Sequence, residues 1–121
     1  MAKPDDKNTI AAKSFAFALR VIKAYKYLIA QNEYVLSKQL LRSGTSIGAN
    51  CREAKNAQSR LDFINKLNIA LKEADETSYW LELLHAGGYI DEQSYTSIYE
   101  DCVELIKLLT SIIKTTKDTT K

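Results

Sequence analysis

The chain has 121 residues, 45% of them hydrophobic and 26% charged, with a formal net charge of +2, one proline and four glycines. That length suits one domain with its own core, and the few chain breakers leave long helices inexpensive. No apolar stretch approaches the roughly 20 residues of a membrane span, and MAKPDDKNTI lacks the apolar run of a signal peptide; with Cys51 and Cys102 far apart, a reducing cytoplasm is expected.

Residues 1–7 are polar and read as a tail. The first helical segment runs from about Asn8 to Asn32, with Ser14, Ala18, Val21, Tyr25 and Leu28 at alternating spacings of four and three, and Phe15, Ile22 and Ile29 broadening the stripe. A second, about Tyr34 to Ala57, places Leu36, Leu40, Ser43, Ile47, Asn50 and Ala54 on its seam, two of them polar. The third, about Arg60 to Ala86, aligns Phe63, Leu67, Ala70, Ala74, Thr77, Leu81 and Leu84. The fourth, about Glu92 to Lys114, aligns Tyr95, Ile98, Cys102, Leu105, Leu109 and Ile112, and residues 115–121 read as a second tail.

The joints are short. Gly87 is the candidate left-handed residue closing the third helix, and Asp91 the N-cap of the fourth. Short joints force antiparallel neighbours, so the expected fold is an all-α, antiparallel up-down-up-down four-helix bundle over residues 8–114.

Catalytic chemistry finds no foothold. With a single histidine, His85, the chain cannot supply Glu-x-x-His motifs on two facing helices, so the pairs of a carboxylate-bridged metal bundle are missing. A nucleophile–His pair would depend on that same residue, which reads better as packed at the bundle edge. Cys102 on a seam and Cys51 beside one suit small buried hydrophobes. Gly44 and Gly48 lie inside a helix and cannot form a phosphate-cradling loop. No metal, cofactor or small-molecule substrate is expected, and the chain reads as non-enzymatic.

Three groups of residues invite a functional reading. Arg42, Ser46 and Glu53 flank the second helix's seam, with Ser43 and Asn50 inside it. A buried polar group left unsatisfied costs about 1–3 kcal/mol, so partners are needed, and Glu73 and Glu76 are candidates for Arg42; the network either fixes helix register or lines a pocket. On the first helix, Lys13, Arg20, Lys23 and Lys26 occur with no acid from Asn8 to Asn32 and with Tyr27 among them. They read as lying opposite the seam, either as a solvated face or as an RNA-binding stripe combining phosphate contacts with stacking. Finally, Leu41, Gly44, Thr45 and Gly48 on the second helix and Ile69, Tyr79, Trp80 and Leu83 on the third read as outward-facing, a candidate subunit interface. Two mid-helix glycines cost about 1 kcal/mol each against alanine, which close approach of another helix would offset.

Charge is uneven: residues 1–58 carry ten Lys and Arg against four acids, and residues 59–121 seven against eleven, giving halves of +6 and −4. The halves either pack with complementary fields or present an electropositive face.

The text Gln39-Leu-Leu-Arg-Ser-Gly-Thr-Ser-Ile-Gly-Ala-Asn50, followed by Glu53-Ala54, Asp62-Phe-Ile, Ile69-Ala-Leu-Lys-Glu-Ala74 and Glu76-Thr-Ser-Tyr-Trp-Leu81, resembles the bacterial four-helix-bundle family of the 23S rRNA intervening-sequence proteins, from about Ser14 to Ile113. The family is similar in fold to the accessory variability determinant of diversity-generating retroelements, which implies a homopentameric ring and nucleic-acid binding. The expectation is therefore a cytoplasmic, non-enzymatic homo-oligomer associated with RNA; the alternative is a structural or protein-binding scaffold with no nucleic-acid role.

Overall fold

The computed structural model describes residues 9–119, which form four helices: α1 (Ile10–Ala30), α2 (Leu36–Lys55), α3 (Arg60–Ala86) and α4 (Glu92–Asp118). Each packs against its sequence neighbours and α4 returns to α1, while no Cα of either diagonal pair, α1 with α3 or α2 with α4, comes within 8 Å of the other. The result is the expected antiparallel bundle, with one helix at each corner of a square. Its contacts are unequal: α2 and α3 share the most extensive one, α1 and α4 by far the thinnest.

Three helices start on short polar caps that satisfy a first-turn N–H. Thr9 Oγ1 accepts from Ala12 N at 3.0 Å, Ser59 Oγ from Asp62 N at 3.0 Å, and Asp91 Oδ1 from Ser94 N at 2.7 Å. The start of α2 is different, because Val35 at the cap position has no acceptor. Glu33 fills that role from two residues earlier. Its buried carboxylate accepts from Val35 N, Leu36 N and Ser37 N at 3.3, 3.2 and 2.6 Å, and Ser37 Oγ donates back to the Glu33 carbonyl at 2.7 Å. Asn32 turns the chain there at φ 65°.

The joint after α3 corrects the sequence reading. Gly87 stays right-handed at φ −79° and Gly88 takes the left-handed conformation at φ 86°. Tyr89 N then donates to Leu84 O at 2.8 Å and Gly88 N to His85 O at 3.1 Å, closing the last carbonyls. A second correction concerns the polar C-terminal stretch, where residues 115–118 are helical and not a tail. Side chains hold that end: Thr116 Oγ1 donates to Ile112 O at 2.8 Å, and Arg60 Nη1 reaches the Thr119 carbonyl at 2.9 Å. The expected tail over residues 1–7, and the last two residues of the other, lie outside the described residues.

The core is layered by the seams. Leu67, Ala70, Ala74, Thr77, Leu81 and Leu84 of α3 are buried, as are Ile98, Cys102, Leu105 and Leu109 of α4. At the seam ends, Ile64 is buried in place of Phe63 and Ile113 in place of Ile112. In α1 the stripe is rotated from its expected position: Phe17 is buried, whereas Phe15 is 57% exposed. Phe17 lies three residues after Ser14 and four before Val21, so Ser14, Phe17, Val21 and Leu28 form the buried row.

Candidate nucleic-acid interface and assembly faces

The basic residues of α1 divide into two sets. Lys13 Nζ lies 3.1 Å from Glu104 Oε2, and Arg20 pairs with Asp101 while also donating to Ser97 O at 3.3 Å and Ser97 Oγ at 2.9 Å. Both therefore turn towards α4, at the edge of the bundle seam and not opposite it, and both charges are largely matched. Lys23 and Lys26 are exposed and have no ion-pair partner among the described residues. The uneven charge of the two halves resolves the same way: Lys13, Arg20 and Arg42 from the first half meet Glu104, Asp101, Glu73 and Glu76 from the second.

Because α1 and α4 pack so thinly, open grooves remain between them. One, of about 520 Å³, is bordered by Arg20, Lys23 and Tyr27 on the α1 side and by polar residues of the α4 first turns, with Leu28, Ile90 and Ile98 beneath. A second, of about 390 Å³, lies on the far side of the Arg20–Asp101 pair. Lys23 and Tyr27 thus share a groove, while Lys26 is not part of it.

The expected polar network exists as separate pieces. Arg42 Nη1 reaches Glu73 Oε2 at 3.2 Å and Nη2 pairs with Glu76, whose Oε1 also accepts from Trp80 Nε1 at 3.2 Å. Ser43 and Thr77, both fully buried, share a hydrogen bond of 2.9 Å across the α2–α3 contact, and Thr77 Oγ1 also donates to Glu73 O at 2.7 Å. Glu53 pairs with Lys66 at 3.0 Å, which raises the Lys66 pKa through the hydrogen bond and charge of the carboxylate. Ser46 and Asn50 bond within α2 itself, to Arg42 O at 2.7 Å and Ser46 O at 2.9 Å. No buried side-chain polar atom among the described residues lacks a partner, so no orphan is aimed into a pocket. The Arg42, Ser43 and Glu53 contacts tie α2 to α3, while Ser46 and Asn50 do not.

The glycine strip is the clearest correction. Gly44 is buried, and a Cβ there would lie 2.7 and 2.8 Å from the two methyls of Val21; one at Gly48 would lie 3.4 Å from Ser14 O. The helix that approaches the glycines is α1 of the same chain, so Gly44 and Gly48 face a neighbouring helix of the bundle and not outward as the wheel placed them. Leu41 packs partly buried against the core, and Thr45 donates to Leu41 O at 2.7 Å. On α3, Ile69 is 45% and Tyr79 54% exposed, whereas Trp80 and Leu83 are half-buried. The sequence reading missed the exposed pair Phe15 and Leu19 on α1, four residues apart on one face; their outward position follows from Phe17 taking the core.

The two cysteines, the histidine and Tyr99 are engaged in packing or side-chain contacts. Burial pushes the Cys51 thiol up to about 11 and the Cys102 thiol up to about 12. His85 stacks on Tyr95 at 4.1 Å and lies 3.4 Å from Glu92, and Tyr99 donates to Glu82 at 3.1 Å. No cluster of three or more His, Cys, Asp or Glu suited to a metal occurs among the described residues, and no described helix is long and apolar enough to cross a membrane.

The family described as 23S rRNA-intervening sequence protein matches residues 6–111. The chain belongs to that family. Consistent with this, it is similar to the crystal structure of a protein of unknown function from the S23 ribosomal protein family of Bacteroides thetaiotaomicron: 62% identity, a TM-score of 0.87, and coverage of 88% of this chain and 99% of that one. No curated protein matches. The stretches that carry the intervening-sequence resemblance, from Gln39 through Leu81, lie on α2 and α3, the pair of helices with the most extensive contact.

Proposed function

We propose that this intervening-sequence protein is a non-catalytic module that assembles with copies of itself and associates with RNA. The observation that carries the RNA part is the edge of α1, where Lys23 and Lys26 stand without carboxylate partners among the described residues, beside the 56% exposed Tyr27. Unmatched cations next to an aromatic ring are suited to a phosphate backbone and a stacked base. Assembly is supported by apolar groups on two opposite corners of the bundle: Phe15 and Leu19 on α1, Ile69 and Tyr79 on α3. Two different patches facing opposite ways fit head-to-tail association, which closes into a ring when the rotation permits; the likeness to the accessory variability determinant suggests five subunits.

The test pairs two measurements on the purified protein. Light scattering at micromolar concentration is expected to give a multiple of 13.7 kDa, and a clean monomer refutes assembly. Lys23→Glu with Lys26→Glu is expected to weaken RNA retention on filters with a reduced salt dependence; unchanged retention refutes the RNA face. The Lys13–Glu104 and Arg20–Asp101 pairs favour one second reading, a protein scaffold whose α1 charges only hold α4. Absorbance at 260 and 280 nm after low-salt and high-salt purification separates the two, since a scaffold carries no nucleic acid at either.

A further inference from the structure

The groove between α1 and α4 has features that a solvated charge stripe lacks. It is about 520 Å³ in volume, within the range of small-ligand sites and too small for a duplex. Its base is apolar, formed by Leu28, Ile90 and Ile98, all buried in the core. Tyr27 borders one side with most of its ring free, and Gln93 and Ser97 of α4 supply amide and hydroxyl groups on the other. The charges are ordered along it. Asp91 at the α4 end stays ionised, because the backbone N–H of Ser94 holds its carboxyl below the usual range, so a phosphate is repelled there; Lys23 on the α1 rim has no competing carboxylate among the described residues.

The phosphate term itself is small. With Lys13 and Arg20 matched by Glu104 and Asp101, two unpaired cations remain on α1, and neutralising about two phosphates gives weak, sequence-independent binding at physiological salt. Useful affinity on this face therefore needs a non-ionic contribution, and stacking with burial of a base in the groove can provide it.

We propose that the α1–α4 groove is a site for one unpaired nucleotide of RNA, its base held between Tyr27 and the α4 wall over the apolar base of the groove and its phosphate at Lys23. This rests on the RNA reading above and adds a consequence: the protein recognises single strands, loops or bulges in preference to duplex, because a paired base cannot enter.

Fluorescence anisotropy with a labelled single-stranded RNA of about 12 nucleotides, within the span of one single-strand site, and the same RNA annealed to its complement, tests this on the full chain. The single strand is expected to bind at least about tenfold more tightly than the duplex. Tyr27→Ala is expected to weaken single-strand binding about tenfold while Tyr27→Phe retains it, since the ring and not the hydroxyl stacks; Gln93→Ala is expected to weaken it more modestly. Tyr27 and Gln93 are exposed, and circular dichroism checks that each variant is folded. If wild-type protein binds both RNAs equally and Tyr27→Ala binds like wild type, the groove site is overturned while the RNA reading stands. If neither RNA binds, both fall together. A mononucleotide binding as tightly as the longer strand overturns the assignment to RNA.

Discussion

Replacing Gly44 by alanine sets two effects of known sign against each other. Alanine gains about 1 kcal/mol over glycine in a helix interior. Against that, the new Cβ would sit 2.7 and 2.8 Å from the Val21 methyls, inside any normal contact. Val21 is fully buried and β-branched, with one strongly preferred rotamer in a helix, so it cannot turn aside; the helices must separate. Overpacking of this kind costs about 1–3 kcal/mol, so Gly44→Ala is expected to be destabilising by up to about 2 kcal/mol net. Gly48→Ala is the matched control, because its Cβ would meet Ser14 O at an ordinary 3.4 Å and keep most of the gain in helix propensity. Urea melts followed at the helical circular-dichroism minimum, at one fixed protomer concentration because assembly shifts apparent stability, are expected to rank Gly48→Ala above wild type and Gly44→Ala below it. Adding Val21→Ala to Gly44→Ala should show favourable coupling of about 1–3 kcal/mol. A Gly44→Ala protein at least as stable as Gly48→Ala would refute the claim that α1 is seated against the glycine.

Other outcomes follow from the same geometry. Thr77→Val leaves the buried Ser43 hydroxyl without its cross-helix partner and is expected to cost about 1–3 kcal/mol, much of it recovered by adding Ser43→Ala; additive losses would argue against the pair. Cys51 and Cys102, raised to about 11 and about 12 by burial, are expected to resist a thiol reagent at mildly alkaline pH in the folded protein and to react fully in denaturant. Asp91 has a lowered folded pKa because it caps α4, so its stabilisation is present above the unfolded value of about 3.9 and lost as pH falls through the folded one. Asp91→Ala should therefore reduce stability at neutral pH and flatten the acid limb of the pH–stability curve; parallel curves would rule out the cap.

The fold was legible because helix seams are local. Spacings of three and four in α3 and α4 name nearly the buried rows observed, and Asp91 marks the start of α4. The partners of Arg42 were legible too, since antiparallel neighbours bring Glu73 and Glu76 opposite it. What escaped was angular and tertiary. A wheel gives the direction of Gly44 or Lys13 within one helix but not how wide the buried sector is, and that width depends on two neighbours. α2 contacts both α1 and α3, so its glycines fall inside; α1 barely meets α4, so Lys13 and Arg20 become edge residues that reach across. Glu33 was invisible as a cap because it lies before Val35, outside the usual cap position, and acts only once Asn32 has turned the chain.

The unequal contacts also bear on how the chain folds. Most of the packing joins helices adjacent in sequence, and the one long-range closure, α1 on α4, is the thinnest. A topology so rich in local contacts has little loop entropy to overcome before its interactions form, and such bundles fold in microseconds to milliseconds. Each hairpin can complete as it leaves the ribosome, the α2–α3 unit being the best packed, and only the final closure waits for the whole chain. That last seam is also the first to open, so slow amide hydrogen exchange should concentrate on α2 and α3 and fade towards the facing edges of α1 and α4.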